Sequence, residues 1–247
     1  MAKDEVEMNT DRRTAIVAGI LFIVATAASL WGSSFIAPVL SAPDYLAAMA
    51  ENGTAIMVGA LLSFVAAATS AGIAISLYPV LRRYNEGLAL GSVGYRLIEG
   101  VFYTVGIICL LSLYALSREL ANVVGQDPSY FKTLGHVLLT TRDLANFVFG
   151  VMAFCIGACL YYCVFYRSKL IPRWLSVWGL VAILLLLAAV LITLLDGEPY
   201  SISGTLVFLA LPIALQEMVL AVWLIAKGFD PSAIGSGAAK AGPNRIQ

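Results

Sequence analysis

Six stretches of this chain, each about 20 residues long, are apolar on every side. A helix that faces water keeps a polar face, so a helix that is apolar at every angle is one surrounded by oil. The runs cover about 14–31, 55–80, 88–111, 144–166, 174–195 and 205–226. At about 1.5 Å per residue each can cross a hydrocarbon core about 30 Å thick, and the longer ones can tilt. The predicted fold class is therefore all-α: a polytopic membrane protein, a bundle of six transmembrane helices. Charged residues make up only 12% of the chain, about half the share of a soluble domain. The lipid bilayer is the partner this pattern demands.

Three parts follow: a leader over 1–13, the six-helix domain over 14–226 and a tail over 227–247. The end of that tail, GSGAAKAGPNRIQ, is small and polar and reads as disordered. Connections are short except for 41–54 and 117–143. Within the second of these, SYFKTLGHVLLTTRD follows Asp127-Pro128, a helix-start signal. It reads either as a short surface helix or as an extension of the fourth span.

Lys and Arg resist translocation, so their distribution orients the bundle. One set of flanks carries Lys3, Arg12, Arg13, Arg82, Arg83, Arg167, Lys169, Arg173, Lys227, Lys240 and Arg245. The other carries Arg118 and Lys132, beside Asp44, Glu51, Glu119, Asp127, Asp196 and Glu198. This predicts a plasma-membrane protein with both termini in the cytoplasm, and an even number of spans requires that agreement.

Several function classes drop out. Fifteen basic and fifteen acidic residues cancel, which gives nucleic acid nothing to hold on to. No P-loop, no GxGxxG after a strand, no serine–histidine pair and no HExxH occurs, so no catalytic residues, metal site or cofactor are implied. Cys155, Cys159 and Cys163 recur every four residues in FCIGACLYYCVFY. No histidine or cation beside them would favour a thiolate, so they read as packing residues. Gly59, Ser63, Ala67 and Ala71, also spaced by four, predict a close helix–helix contact.

The chemistry lies in residues that do not belong in oil. GYRLIEGVFY, in the third run, places Arg96 and Glu99 three apart on one helix face, with Tyr103 one turn beyond. Counted from the cytoplasmic end, they lie roughly 12 and 16 Å deep. LPIALQEMVLAVW, in the sixth run, adds Gln216 and Glu217, the latter roughly 14 Å deep, one turn after Pro212. An ionised group at the bilayer centre costs at least about 2.5 kcal/mol, and an interior ion pair offsets that. Spans three and six are therefore expected to touch, with Arg96 bridging Glu217, Glu99 or both. Two acids and one arginine leave one acid over. Either it carries a proton, or water, a cation or a cationic ligand neutralises it.

A second cluster, toward the outer face, has His136 and Asp143 at helical spacing, Arg142 adjacent and Asn146 a turn below. One histidine and one aspartate are too few for zinc without other helices, so an interfacial cap is the plainer reading.

Four stretches, RTAIVAGILFIVA, SLYPVLRRYNEGLALGSVGYRLIEG, YRSKLIPRWLSVWGLVA and ALQEMVLAVWLIAKGF, span about 13–230 in order. In these the chain resembles a bacterial and archaeal family of six-span membrane proteins, domain of unknown function family 4386. The resemblance implies the same membrane bundle and matches the family's polar positions at Arg96, Glu99 and Glu217. It supplies no activity. The family often has a histidine near the middle of its fourth span, where this sequence has Phe154 or Cys155. Two readings remain. In one, Arg96, Glu99, Tyr103, Gln216 and Glu217 form an intramembrane site that binds or passes a small-molecule ligand, an ion or a proton. In the other, the charges are a clasp inside a structural or assembly subunit. An intramembrane enzyme would need a nucleophile or metal set that the sequence does not offer.

Overall fold

The structure is a computed structural model that describes residues 2–122, 129–197 and 204–234. Those residues are helical with no strand among them. The helices are α1 (Ala2–Leu40), α2 (Tyr45–Glu51), α3 (Gly53–Leu81), α4 (Glu86–Asn122), α5 (Ser129–Asp143), α6 (Val151–Ser168), α7 (Arg173–Asp196) and α8 (Gly204–Ala226). A π-helical segment, Leu144–Gly150, joins α5 to α6 without a break. The protein is a multi-pass membrane protein, with six helices long and apolar enough to span a bilayer. Large apolar side chains such as Leu61, Val101, Leu184 and Val222 stay more than 60% exposed on the flanks, where acyl chains rather than water cover them.

The spans are longer than hydropathy suggests. α1 has 39 residues and α4 has 37, each more than about 50 Å long and well beyond the hydrocarbon thickness. The stretch 129–143 is an extension of the fourth span, which settles the alternatives left open above; the Asp127-Pro128 start signal lies outside the described residues. The long connections 41–54 and 117–143 are mostly helical among the described residues, beyond the one helix expected at 129–143. Their apolar residues close a second core around Ile36, Leu46, Met49, Ile56, Leu110 and Leu113. Ile56 and Leu110 come from the ends of two apolar runs, while Ile36, Leu46, Met49 and Leu113 lie beyond any of them.

The main core lies toward the other end, where α1, α3, α6, α7 and α8 meet through Phe22, Leu77, Tyr161, Phe165, Leu175 and Leu220. The small-residue stripe of α3 makes its contact against α1. A Cβ on Gly59 would meet the Gly32 carbonyl oxygen at 3.1 Å, and one on Gly32 would meet Ser63 Oγ at 3.2 Å. Only glycine lets these backbones come so close.

The main-core end is also where the basic residues collect, and it is called the basic rim below. Arg12 donates to the carbonyls of Leu224 (3.0 Å) and Ile225 (2.6 Å), satisfying the open end of α8. Arg83 holds both oxygens of Asp11, at 2.8 and 3.0 Å. Residues 227–234 fold back on the bundle: Phe229 and Ala233 are buried, and the Tyr84 hydroxyl donates to the Ala233 carbonyl at 2.7 Å. The GSGAAKAGPNRIQ stretch expected to be disordered lies outside the described residues, as do Asp127, Glu198, Lys240 and Arg245.

Candidate functional site

Arg96 is the largest fully buried side chain among the described residues, 1% exposed, and Glu99 is 2% exposed. The i,i+3 spacing on α4 places them side by side, with Arg96 Nη1 2.9 Å from Glu99 Oε2. The same nitrogen donates to Ser70 Oγ of α3 at 2.9 Å, and Ser70 passes a hydrogen bond on to Glu99 Oε1 at 2.8 Å. Both Glu99 oxygens are thereby occupied. The other terminal nitrogen, Nη2, donates to the Tyr161 hydroxyl of α6 at 3.2 Å and stands 3.6 Å from Glu217 Oε1 of α8. Tyr161 in turn lies 3.5 Å from that oxygen. The Phe154 ring covers the guanidinium with 4.4 Å between its centroid and Cζ, a cation–π contact that replaces part of the lost hydration.

The expectation that spans three and six touch through Arg96 holds at the level of side chains. Arg96 bridges both acids, as the sequence allows. The helices themselves are not packed on one another: α4 lies against α3 and α6, while α8 lies against α7 and α1. Tyr161 fills the intervening space. The approach of α6 to α4 depends on Gly157, where a Cβ would meet Arg96 N and Cγ, each at 3.3 Å.

The two acids are not equivalent. Glu99 has a short bond to the guanidinium, a second bond from Ser70 and almost no exposure. Glu217 has a longer contact and keeps 13% of its side chain exposed. Arg96 Nε is buried without a hydrogen-bond partner, so the guanidinium's donor capacity is not fully used.

One residue grouped with this site on sequence grounds sits elsewhere, and another, Tyr103, also packs on a further element. Gln216 is buried, but it points to the other side of α8, where it bonds the Tyr162 hydroxyl and donates to the Leu175 carbonyl at 3.0 Å. Consecutive helical residues diverge by about 100°, so Gln216 and Glu217 serve different neighbours. Tyr103 packs over Gly150 at the end of the π-helical segment, with its Cε1 2.7 Å from where a Cβ would stand. Ser70, Phe154, Gly157 and Tyr161 were not predicted to belong to the site. The signal available was weak: one of several hydroxyls in span two, and a tyrosine pair toward the end of span four.

The secondary cluster comes together only in part. Arg142 and Asp143 form an ion pair at 2.5 Å, with Arg142 also over the Phe147 ring at 5.6 Å. Asn146 presses its amide against Gly106 of α4, and its Oδ1 is buried without a hydrogen-bond partner. His136 is exposed on α5. Among the described residues no group of three or more His, Cys, Asp or Glu side chains could hold a metal ion. Cys155 is buried, and Cys159 and Cys163 are partly so, all as free thiols.

One comparison with known proteins finds a match. The family model described as Domain of unknown function (DUF4386) matches residues 17–228. The chain belongs to that family. The match takes in α2 to α8 entire and α1 from residue 17 onward, so Ser70, Arg96, Glu99, Tyr161 and Glu217 all lie inside the family's DUF4386 region. Searches of curated proteins and of solved structures find no match.

Proposed function

We propose that this DUF4386 protein holds an exchangeable proton within the membrane, with Glu217 as the acid and the Arg96–Glu99 pair as its fixed counter-charge. One observation carries the reading: two buried carboxylates share a single guanidinium unequally, at 2.9 and 3.6 Å, and the more distant one is the more exposed. Arg96 can neutralise one of them. The other needs a proton or a cation to be neutral in a low-dielectric setting. A proton needs only one acceptor atom, whereas a bare metal ion needs several oxygens around it. Among the described residues Glu217 Oε1 has Tyr161 and Arg96 alone as hydrogen-bonding or ionic partners, which favours the proton over a metal ion or a larger ligand. Tyr161, touching both Arg96 and Glu217, is placed to move with the proton. The charge distribution along the sequence supports a plasma-membrane location with both termini in the cytoplasm, so the proton would come from the cytoplasmic side.

A second reading is favoured by the packing around Arg96. Its bonds join α3, α4, α6 and α8, as a clasp in a structural subunit would. The two are separated by Glu217→Gln and Glu99→Gln in protein reconstituted into lipid. Infrared difference spectra between acidic and alkaline buffer should show a carboxyl band that disappears in Glu217→Gln while the protein stays folded. A band unchanged in both variants would reject the proton site and leave the clasp.

A further inference from the structure

The basic loop between α6 and α7 meets the end of α8 around a cavity of about 600 Å³ at the basic rim. Its lining includes Lys169, Arg173, Trp223, Lys227 and Asp230. The volume falls within the roughly 300–1,000 Å³ of small-molecule sites. Two backbone features shape it: Lys169 is the one non-glycine residue at positive φ (60°) among the described residues, and Gly228 turns the chain at φ 75°. Lysine rarely closes a helix in this left-handed conformation, which favours glycine or asparagine. Here it turns the chain out of α6 toward Pro172 and the start of α7.

The cations of this rim divide into two groups. Arg12 is spent on the carbonyls ending α8, and Arg83 on Asp11. Lys169, Arg173 and Lys227 are exposed, line the cavity, and form no ion pair among the described residues. The one acid in the lining, Asp230, turns its Oδ1 to the Ser232 amide (2.9 Å) and hydroxyl (2.6 Å) of its own segment. Three cations thus line one cavity whose only lining carboxylate is hydrogen-bonded within its own segment. Trp223 lines it, and Trp174 stacks on Trp178 beside it at 6.3 Å between centroids. Tryptophan at a bundle rim sits at headgroup depth, where its ring is half in oil and its N–H can reach polar groups.

We infer that this cavity binds the phosphate-bearing headgroup of an anionic phospholipid, with Lys169, Arg173 and Lys227 around the phosphate and Trp223 against the glycerol region. A basic pocket between membrane helices suits such a headgroup because the acyl chains stay in the bilayer while only the charge enters the protein. The site shares no residue with the Arg96 network, and it stands whether or not Glu217 exchanges a proton.

The test is native mass spectrometry of the full chain in mild detergent, titrated with phosphatidylglycerol, phosphatidylcholine or inorganic phosphate. The expected result is a one-to-one phosphatidylglycerol adduct, with phosphatidylcholine binding at least about tenfold more weakly, since each basic residue near an anionic headgroup contributes roughly a factor of five. Replacing Arg173→Gln and Lys227→Gln together should weaken the adduct by about tenfold or more. Arg82→Gln with Arg167→Gln, which removes the same charge from exposed positions outside the cavity, should leave it unchanged. Both variants alter exposed side chains, and an unchanged melting temperature establishes that they fold. Equal loss in the two double variants, or equal binding of the two lipids, overturns the proposal. So does displacement of the lipid by equimolar inorganic phosphate, which would make the ligand a soluble phosphate compound.

Discussion

Glu217 stands 3.6 Å from one terminal nitrogen of Arg96, while Glu99 holds the other at 2.9 Å. The difference predicts unequal consequences of the same chemical change. Glu99→Gln leaves Arg96 deep in the bundle with only a distant acid to balance it, and breaking a buried pair this way costs about 3–5 kcal/mol. Glu217→Gln removes the surplus carboxylate, keeps a group that can accept from Tyr161, and should cost less than about 1 kcal/mol. Thermal unfolding in detergent measures both. A Glu217→Gln variant as unstable as Glu99→Gln would mean that both acids are structural and would favour the clasp.

The seat of Arg96 depends on what is absent at Gly157. Any side chain there would have to push between Tyr95 Cβ at 3.2 Å and the Arg96 backbone at 3.3 Å. Gly157→Ala should cost about 1–3 kcal/mol through overpacking, and Gly157→Leu more. Because the displaced residue is Arg96 itself, the substitution should also change the infrared carboxyl signal assigned to Glu217. Lost stability with an unchanged carboxyl band would show that the network tolerates displacement of α6.

Six helices and the buried charges were legible in the sequence for the same reason. In a bilayer every residue is tested against oil, so an apolar run announces a span and a charge inside it announces a partner. The i,i+3 spacing of Arg96 and Glu99 put both on one helix face, while which acid Arg96 would pair with stayed open in the sequence. Ser70 and Tyr161 were less visible because a lone hydroxyl in a span can bond its own helix, as Ser63 and Thr69 do. The π-helical segment at Leu144–Gly150 places Gly150 beneath the Tyr103 ring, and nothing in LANFVFG marks that change of winding. The second core was hidden for a further reason: it is assembled from the ends of several helices, partly beyond the apolar runs.

At the basic rim, the Asp11–Arg83 pair couples the foot of α1 to the turn after α3. Its two members differ in exposure, 1% for Asp11 and 22% for Arg83. Arg83→Gln leaves a buried carboxylate unpaired, whereas Asp11→Asn leaves an arginine that can still reach water. The first should therefore be the more damaging, by about 3 kcal/mol against about 1–2. Melting temperatures of the two variants decide the order. The reverse ranking would mean that Arg83 has an essential partner besides Asp11.

Tyr84 gives a prediction in pH. Its hydroxyl donates to the Ala233 carbonyl at 2.7 Å and so pins residues 227–234 against the bundle. Burial raises its pKa from 10.0 to about 12, opposed by nearby Arg83 and reinforced by Asp11 and Asp230. The raised value means that the folded state favours the protonated phenol. The stability it contributes is fully present below pH 10, falls as pH rises past that value, and is gone once the folded phenol has also ionised above about 12. Subtracting the ultraviolet tyrosinate titration of Tyr84→Phe from that of the wild type isolates this phenol among the 11 tyrosines. The difference curve should have its midpoint near 12, and the variant should show faster amide exchange at 230–234 even at neutral pH. A midpoint near 10 would mean that the phenol is solvated and that the segment is held by Phe229 and Ala233 packing alone.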